Sequence, residues 1–181
     1  KAANLGELAH HFPQQVSAGL AIPFGAFRQL LDQPITPGGP SAHAWLKAEY
    51  RRLGQIADPD RRRRETHETL GRLREWIAQT SLPNGFHQTL RDALIDTFGD
   101  ADTGGVFVRS DTNVEDLPGF SGAGLNRTVP NVTGFTAIVA AIREVWASPF
   151  TQRAFDWRQA RMADPGQVYP SVLLQATVPV D

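Results

Sequence analysis

Residues 105 to 128 read Gly-Val-Phe-Val-Arg-Ser-Asp-Thr-Asn-Val-Glu-Asp-Leu-Pro-Gly-Phe-Ser-Gly-Ala-Gly-Leu-Asn-Arg-Thr, and no other stretch constrains the fold as much. The β-branched and aromatic run Val106, Phe107, Val108 predicts a strand that delivers Arg109 to its end. Asp111, Glu115 and Asp116 follow, and then a glycine-rich turn from Gly119 to Gly124. A fixed guanidinium beside backbone that can approach a ligand closely is what an anion site needs, phosphate above all. The rest of the chain is read as scaffold and partners for this segment.

Taken in order, Lys1 to His11 predicts a short helix with Ala2, Leu5 and Leu8 on one face. Val16 to Ile22 predicts a strand, and Pro23 opens a helix in its first turn. The proline and glycine of Gln33 to Pro40 predict a loop. Ser41 to Thr80 predicts a helical arm, interrupted at Asp58-Pro59, with stripes Trp45, Tyr50, Leu53, Ile56 and Leu70, Leu73, Trp76, Ile77. Leu82-Pro83 starts another helix, with Gly99 as its cap. After Thr128 a helix from Thr133 presents Phe135, Ile138, Val139, Ile142 and Val145, with Trp146 at its end. Ser148-Pro149 restarts a helix, read as an N-cap followed by proline. Val168 to Val178 predicts a strand apolar on both faces around Leu173, hence central in a sheet. This order predicts an α/β or α+β lobe rather than a doubly wound sheet.

Composition narrows the function classes. A net charge of −1 over 181 residues argues against bulk attraction to nucleic acid or anionic lipid. No window approaches the ~18 consecutive apolar residues of a membrane span. The absence of cysteine removes disulfides, thiolate metal sites and a Cys nucleophile, and it fits a reducing, cytoplasmic setting. The five histidines show no metal-ligand spacing, and no Ser nucleophile elbow is present. The chain opens on Lys1 and closes on Asp181 just after a strand-like run, which is read as a fragment of a longer protein.

The chemistry-bearing residues each have two readings. Arg109 at a strand end is suited to bidentate contact with phosphate oxygens. Asp111, Glu115 and Asp116 either orient that arginine, bind Mg²⁺, or form a salt-bridge network that pins the turn. Gly119-Phe-Ser-Gly-Ala-Gly124 lacks the Gly-Lys-Ser/Thr of a Walker A loop and the Rossmann spacing, so it is a flexible turn or a lid over phosphate. Lys1 is either a solvated terminal lysine or a cation that helps a helix end hold phosphate. Gln175-Ala-Thr-Val178 is ordinary core strand or backbone that reads an adenine edge. Arg61 to Arg64 is a solvated helix face, partly paired with Glu65 and Glu68, or a polyanion contact.

Four segments carry a resemblance over nearly the whole chain. Lys1-Ala-Ala-Asn-Leu-Gly-Glu-Leu8 resembles the start Gly-Gly-Lys-Ala-X-X-Leu-Gly-Glu-Leu of the N-terminal nucleotide-binding domain of phosphoenolpyruvate synthase and pyruvate phosphate dikinase. Ala21-Ile-Pro-Phe-Gly-Ala-Phe27 resembles the X-Val-Pro-X-Gly-Phe step of that family. Phe107 to Gly122 resembles its Val-Arg-Ser-Ser…Glu-Asp…Ala-Gly core, in a version closest to the glucan and phosphoglucan water dikinases. Val145 to Ala154 with Leu173-Leu-Gln175 resembles its later helix and strand.

The resemblance implies an ATP-grasp-like nucleotide-binding lobe, with a helical arm over 41–99 and a strand and glycine-loop core over 100–181. It implies that Lys1 and Arg109 contact ATP phosphates, that Ser121, Gly122, Ala123 and Gly124 cover them, and that Thr128 follows near the nucleotide. Gln175, Ala176 and Val178 belong to the implied adenine hinge. The implied enzyme is a dikinase that passes a phosphoryl group from ATP to its own histidine and then to pyruvate, a glucan or another acceptor. The Mg²⁺ ligands, the phosphohistidine domain and the acceptor domain are expected beyond Asp181, so the fragment alone is expected to be inactive. A competing reading is a non-catalytic module that senses a nucleotide or docks a partner.

Overall fold

The computed structural model describes residues 2–100, 102, 105–113, 116–117, 120–121 and 127–177, with backbone alone for 116–117 and 120–121. Four strands form an antiparallel sheet in the order β1 (Gly19–Ile22), β6 (Pro170–Ala176), β2 (Val106–Thr112), β5 (Thr128–Val132). A separate hairpin pairs β3 (Asp116–Leu117) with β4 (Phe120–Ser121). The uninterrupted apolar run of β6 takes an inner position between β1 and β2, where both of its backbone edges are hydrogen-bonded. The sheet is antiparallel throughout, so the lobe is α+β.

β2 shows strict period-two burial. Val106, Val108, Ser110 and Thr112 are buried, and Phe107, Arg109 and Asp111 are half-buried on the opposite face. The buried face is covered by α2 (Phe24–Leu31) and α6 (Phe135–Ala147). α4 (Pro59–Gln79) packs behind α6, with α3 (Ala42–Gly54) and α7 (Gln152–Arg161) against it, and α5 (Phe86–Phe98) touches β1. Trp146, Phe27, Phe150 and Phe155 are fully buried where these layers meet. Each such side chain contributes about 1.5–3 kcal/mol by leaving water. Arg143 secures the end of α4 by donating to the carbonyls of Ile77 and Thr80 at 2.8 and 2.7 Å.

The opposite face is only partly covered. α1 (Ala2–His11) buries none of its residues, yet it lies against the β1–β6 half. A Cβ at Gly19 would stand 3.5 Å from Leu5 Cδ2 and 3.7 Å from Leu173 Cδ1, which fixes where the helix sits.

Several boundaries differ from those expected. Arg109 lies in the middle of β2, because Ser110 and Thr112 are small enough to bury and the register with β6 continues to Pro170. The first strand is confined to Gly19–Ile22. α5 starts at Phe86 rather than at Leu82-Pro83, since Gly85 at φ 77° breaks the helical path after the proline. Ser148 does not cap α7: its Oγ donates to the Val145 carbonyl and accepts the Arg127 amide, closing α6. Thr151 caps α7 instead, accepting from the Ala154 amide. α6 begins after Gly134 and is capped from a distance by Asp102, which accepts the Phe135 amide at 2.8 Å. Asp58 caps α4 with Pro59 in the first turn, at the interruption the sequence marks. Among the described residues, no helix is long and apolar enough to cross a membrane.

Candidate nucleotide site on the sheet face

Arg109 projects from the half-buried face of β2, directly opposite Thr128 of β5 on one side and Leu173 of β6 on the other. Its Nη1 donates to Gln175 Oε1 at 2.6 Å. Gln175 is opposite Phe107, so this bond runs diagonally across the β2–β6 pair. It holds the guanidinium across the sheet without neutralising it, because the partner is an amide. A charged group positioned in this way remains available to an anion.

The start of β5 is clamped beside Arg109. The Ser110 amide donates to the Arg127 carbonyl at 3.3 Å, the Arg127 amide donates to Ser148 Oγ at 3.2 Å, and the Arg127 side chain pairs with Glu144. Thr128, which follows, is exposed next to Arg109.

Asp111 lies two residues further along the same face and accepts the Ala2 amide through Oδ2 at 3.0 Å. The N-terminus of α1 is thus anchored on β2 close to Arg109. A helix N-terminus presents unsatisfied N–H groups and a positive dipole end, so it favours a carboxylate there and, equally, a phosphate. Of the three acids that open roles were left for, Asp111 serves as a helix anchor. Glu115 lies outside the described residues, and of Asp116 only the backbone is described. Among the described residues, no group of three or more His, Asp or Glu could hold a metal ion.

At the far end of β6, the Ala176 amide donates to the Ala18 carbonyl at 3.3 Å and the Thr177 amide to the Gly105 carbonyl at 3.0 Å. Both N–H groups are used inside the scaffold, so an adenine edge read here needs other atoms of the segment. Thr177 Oγ1 is buried with no hydrogen-bond partner among the described residues. An orphaned buried hydroxyl at this position is a polar group awaiting a partner. Its side chain was not singled out in the sequence, where only the backbone of the hinge was considered.

Arg109, Thr128 and Gln175 therefore share one face of adjoining strands, while Ala176, opposite Val106, lies on the other face. Lys1, Gly122, Ala123, Gly124 and Val178 lie outside the described residues, and Ser121 is described only as backbone paired with Asp116. The Asp111 anchor and the Arg109–Gln175 bond were not foreseen, since each joins segments far apart in the chain.

The chain is 28% identical over 161 residues to phosphoenolpyruvate synthase of Escherichia coli, covering 87% of this chain and 19% of that protein. It is 32% identical over 189 residues to rifampicin phosphotransferase of Bacillus cereus, and 30% identical over 179 residues to that of Streptomyces sviceus. Each of these two matches covers 98% of this chain and 19% of the relative. The chain thus spans about a fifth of the length of the curated relatives it matches. The family model for the pyruvate phosphate dikinase AMP/ATP-binding domain matches residues 1–181. The chain belongs to that family.

Proposed function

We propose that the Arg109 face of the sheet holds the phosphates of ATP, and that the chain is the nucleotide-binding lobe of a dikinase with an ATP-grasp-like architecture. The observation that carries this reading is the Arg109 guanidinium, held by Gln175 at 2.6 Å on the incompletely covered face beside the N-terminus of α1. Family membership supports ATP or AMP as the nucleotide.

In this reading Arg109 and Lys1 neutralise phosphate charge. Ser121, Gly122, Ala123 and Gly124 fold over the phosphates and exclude water, and Thr128 borders them from β5. Gln175, Ala176 and Val178 seat the base. Residues 41–99 act as a helical arm and 100–181 as the binding core of a larger unit. Phosphoryl transfer depends mainly on positioning and charge neutralisation, which this face provides in part. Magnesium enters through ligands outside the chain. The whole protein converts ATP to AMP, passing a phosphoryl group to a histidine in another domain and on to an acceptor. Pyruvate and a glucan are both compatible with the chain, and the glucan branch rests on the Arg109–Leu125 motif alone.

The test is Arg109→Ala in the intact protein. ATP affinity should fall by about tenfold or more, as expected for loss of a charge-assisted contact, with nucleotide-dependent histidine phosphorylation lost and the melting temperature kept. Undiminished phosphorylation overturns the assignment. Lowered affinity in a protein that never forms phosphohistidine favours the binding-module reading.

A further inference from the structure

The arginine run Arg61–Arg64 is not accounted for by the sheet-face site. It lies at the start of α4, on the helical side of the molecule. The structure divides the run. Arg61 is paired with Glu65 at 2.6 Å, and Glu65 is also paired with Arg52. Arg62 and Arg63 instead line a cavity of about 400 Å³ between the end of α3, the start of α4 and α7, with Gln152, Asp156 and Gln159 on its other walls. That volume lies within the range of small-molecule pockets, about 300–1,000 Å³.

Two observations separate this cavity from a chance surface dimple. First, among the described residues neither Arg62 nor Arg63 has an ion-pair partner, although Asp156 lines the same cavity. Opposite charges that face a common space without closing on each other leave room for a ligand between them. Second, the walls are built. Gln159 lies against Gly54 where a Cβ would meet its Oε1 at 3.1 Å, and its Nε2 donates to the Tyr50 carbonyl at 3.2 Å. Gln152 donates through Nε2 to Asp156 at 2.9 Å, which leaves its Oε1 buried without a hydrogen-bond partner among the described residues.

We propose that this cavity is a second ligand site, one that binds a small phosphorylated polyol with its phosphate on Arg62 and Arg63 and its hydroxyls toward Asp156. Two guanidiniums suit a phosphate dianion, to which each donates charge-assisted hydrogen bonds. A carboxylate accepts hydrogen bonds from hydroxyls and repels a second anionic group. The ligand class is therefore anionic at one end and rich in O–H donors at the other. The site shares no residue with the Arg109 face, so it stands whether or not that face binds ATP.

The test is calorimetric titration of the intact protein with glucose 6-phosphate, inorganic phosphate and glucose as probes, in the presence and absence of saturating ATP. Glucose 6-phosphate should bind in both conditions, inorganic phosphate more weakly, and glucose not measurably. The double variant Arg62→Gln/Arg63→Gln should weaken glucose 6-phosphate by about tenfold or more, the loss expected for two charge-assisted contacts. Asp156→Asn should narrow the preference for the sugar phosphate over phosphate, and Arg64→Gln, outside the cavity, should leave both affinities unchanged. Melting curves confirm that each variant is folded. The proposal is overturned if glucose 6-phosphate does not bind, if inorganic phosphate binds equally well, or if Arg64→Gln weakens binding as much as the double variant. Loss of binding in Arg109→Ala or under saturating ATP also overturns it, because it assigns the probe to the sheet face.

Discussion

Arg109 on β2 and Gln175 on β6 are joined side chain to side chain at 2.6 Å, although they stand 66 residues apart and are not directly opposite in the sheet. The bond aims the guanidinium with a neutral partner, so its positive charge is retained. Gln175→Glu converts that partner into a competing carboxylate of nearly the same shape. ATP affinity should then fall by about tenfold or more, because the arginine is neutralised before the phosphate arrives. Gln175→Leu leaves the charge and removes only the tether, so its loss should be smaller. Titration of ATP into both intact variants checks the order, and a Glu variant that binds as well as the Leu variant contradicts it.

Asp111 tethers the Ala2 amide at 3.0 Å, and α1 is otherwise held only by half-buried contacts such as that of Leu5 near Gly19. Helix stability in proteins comes mostly from packing, so this helix relies on its anchor. Asp111→Ala should cost roughly 0.5–2 kcal/mol locally, the scale of a lost N-terminal cap. The cost should appear as faster amide exchange confined to α1, with the sheet amides and the global unfolding midpoint little changed. If α1 supplies part of the phosphate site, ATP affinity falls alongside. Unchanged exchange in α1 contradicts the anchoring role.

Much of this was legible in the sequence, for reasons that differ by element. β2 alternates from Val106 to Thr112, and β6 carries the apolar run Val172-Leu173-Leu174, so a strand with one buried and one half-buried face and an inner strand follow directly from pattern. The stripe Ile138, Ile142, Val145 predicts the buried face of α6 for the same reason. Contacts between distant segments carry no periodic signal. Nothing local states that Gln175 reaches Arg109, that Asp111 reaches Ala2, or that Asp102 caps α6. Local signals also misled where a second partner intervened. Ser148-Pro149 has the form of a helix start, but Ser148 is occupied by Val145 and Arg127. Within Arg61–Arg64, four identical residues have different surroundings, which only the fold distinguishes.

Gly105 has φ 125°, and a Cβ there would stand 2.7 Å from Asn131 Oδ1. Asn131 itself sits at φ 50°, at the irregularity where β5 shifts its register against β2. Gly105→Ala should therefore destabilise by about 1–3 kcal/mol, through backbone strain together with the clash. Asn131→Gly alone should be near neutral, because it relieves one strained residue and loosens the unfolded chain. Combined, the two changes should cost less than their sum, since the glycine removes the clashing oxygen. Chemical denaturation of the four proteins closes the cycle, and strict additivity shows that the clash is absent.

His43 provides the pH dependence. Its Nε2 shares a hydrogen bond with the Tyr169 hydroxyl at 3.0 Å and lies 3.4 Å from Arg28 Nη1. Burial holds its pKa below the ordinary 6.5, and the charges of Arg28 and Lys47 lower it further, against weaker opposition from Asp32 and Asp164. The unfolded chain then binds a proton at His43 more readily than the native chain does. Stability contributed by the neutral ring is present above pH 6.5 and is lost as the pH falls from there through the folded pKa. His43→Gln keeps a side-chain hydrogen bonder for Tyr169 and removes the titration. The native protein should lose more of its urea midpoint between pH 7.5 and 5.5 than the variant does. Equal losses in the two proteins assign the pH dependence to other groups.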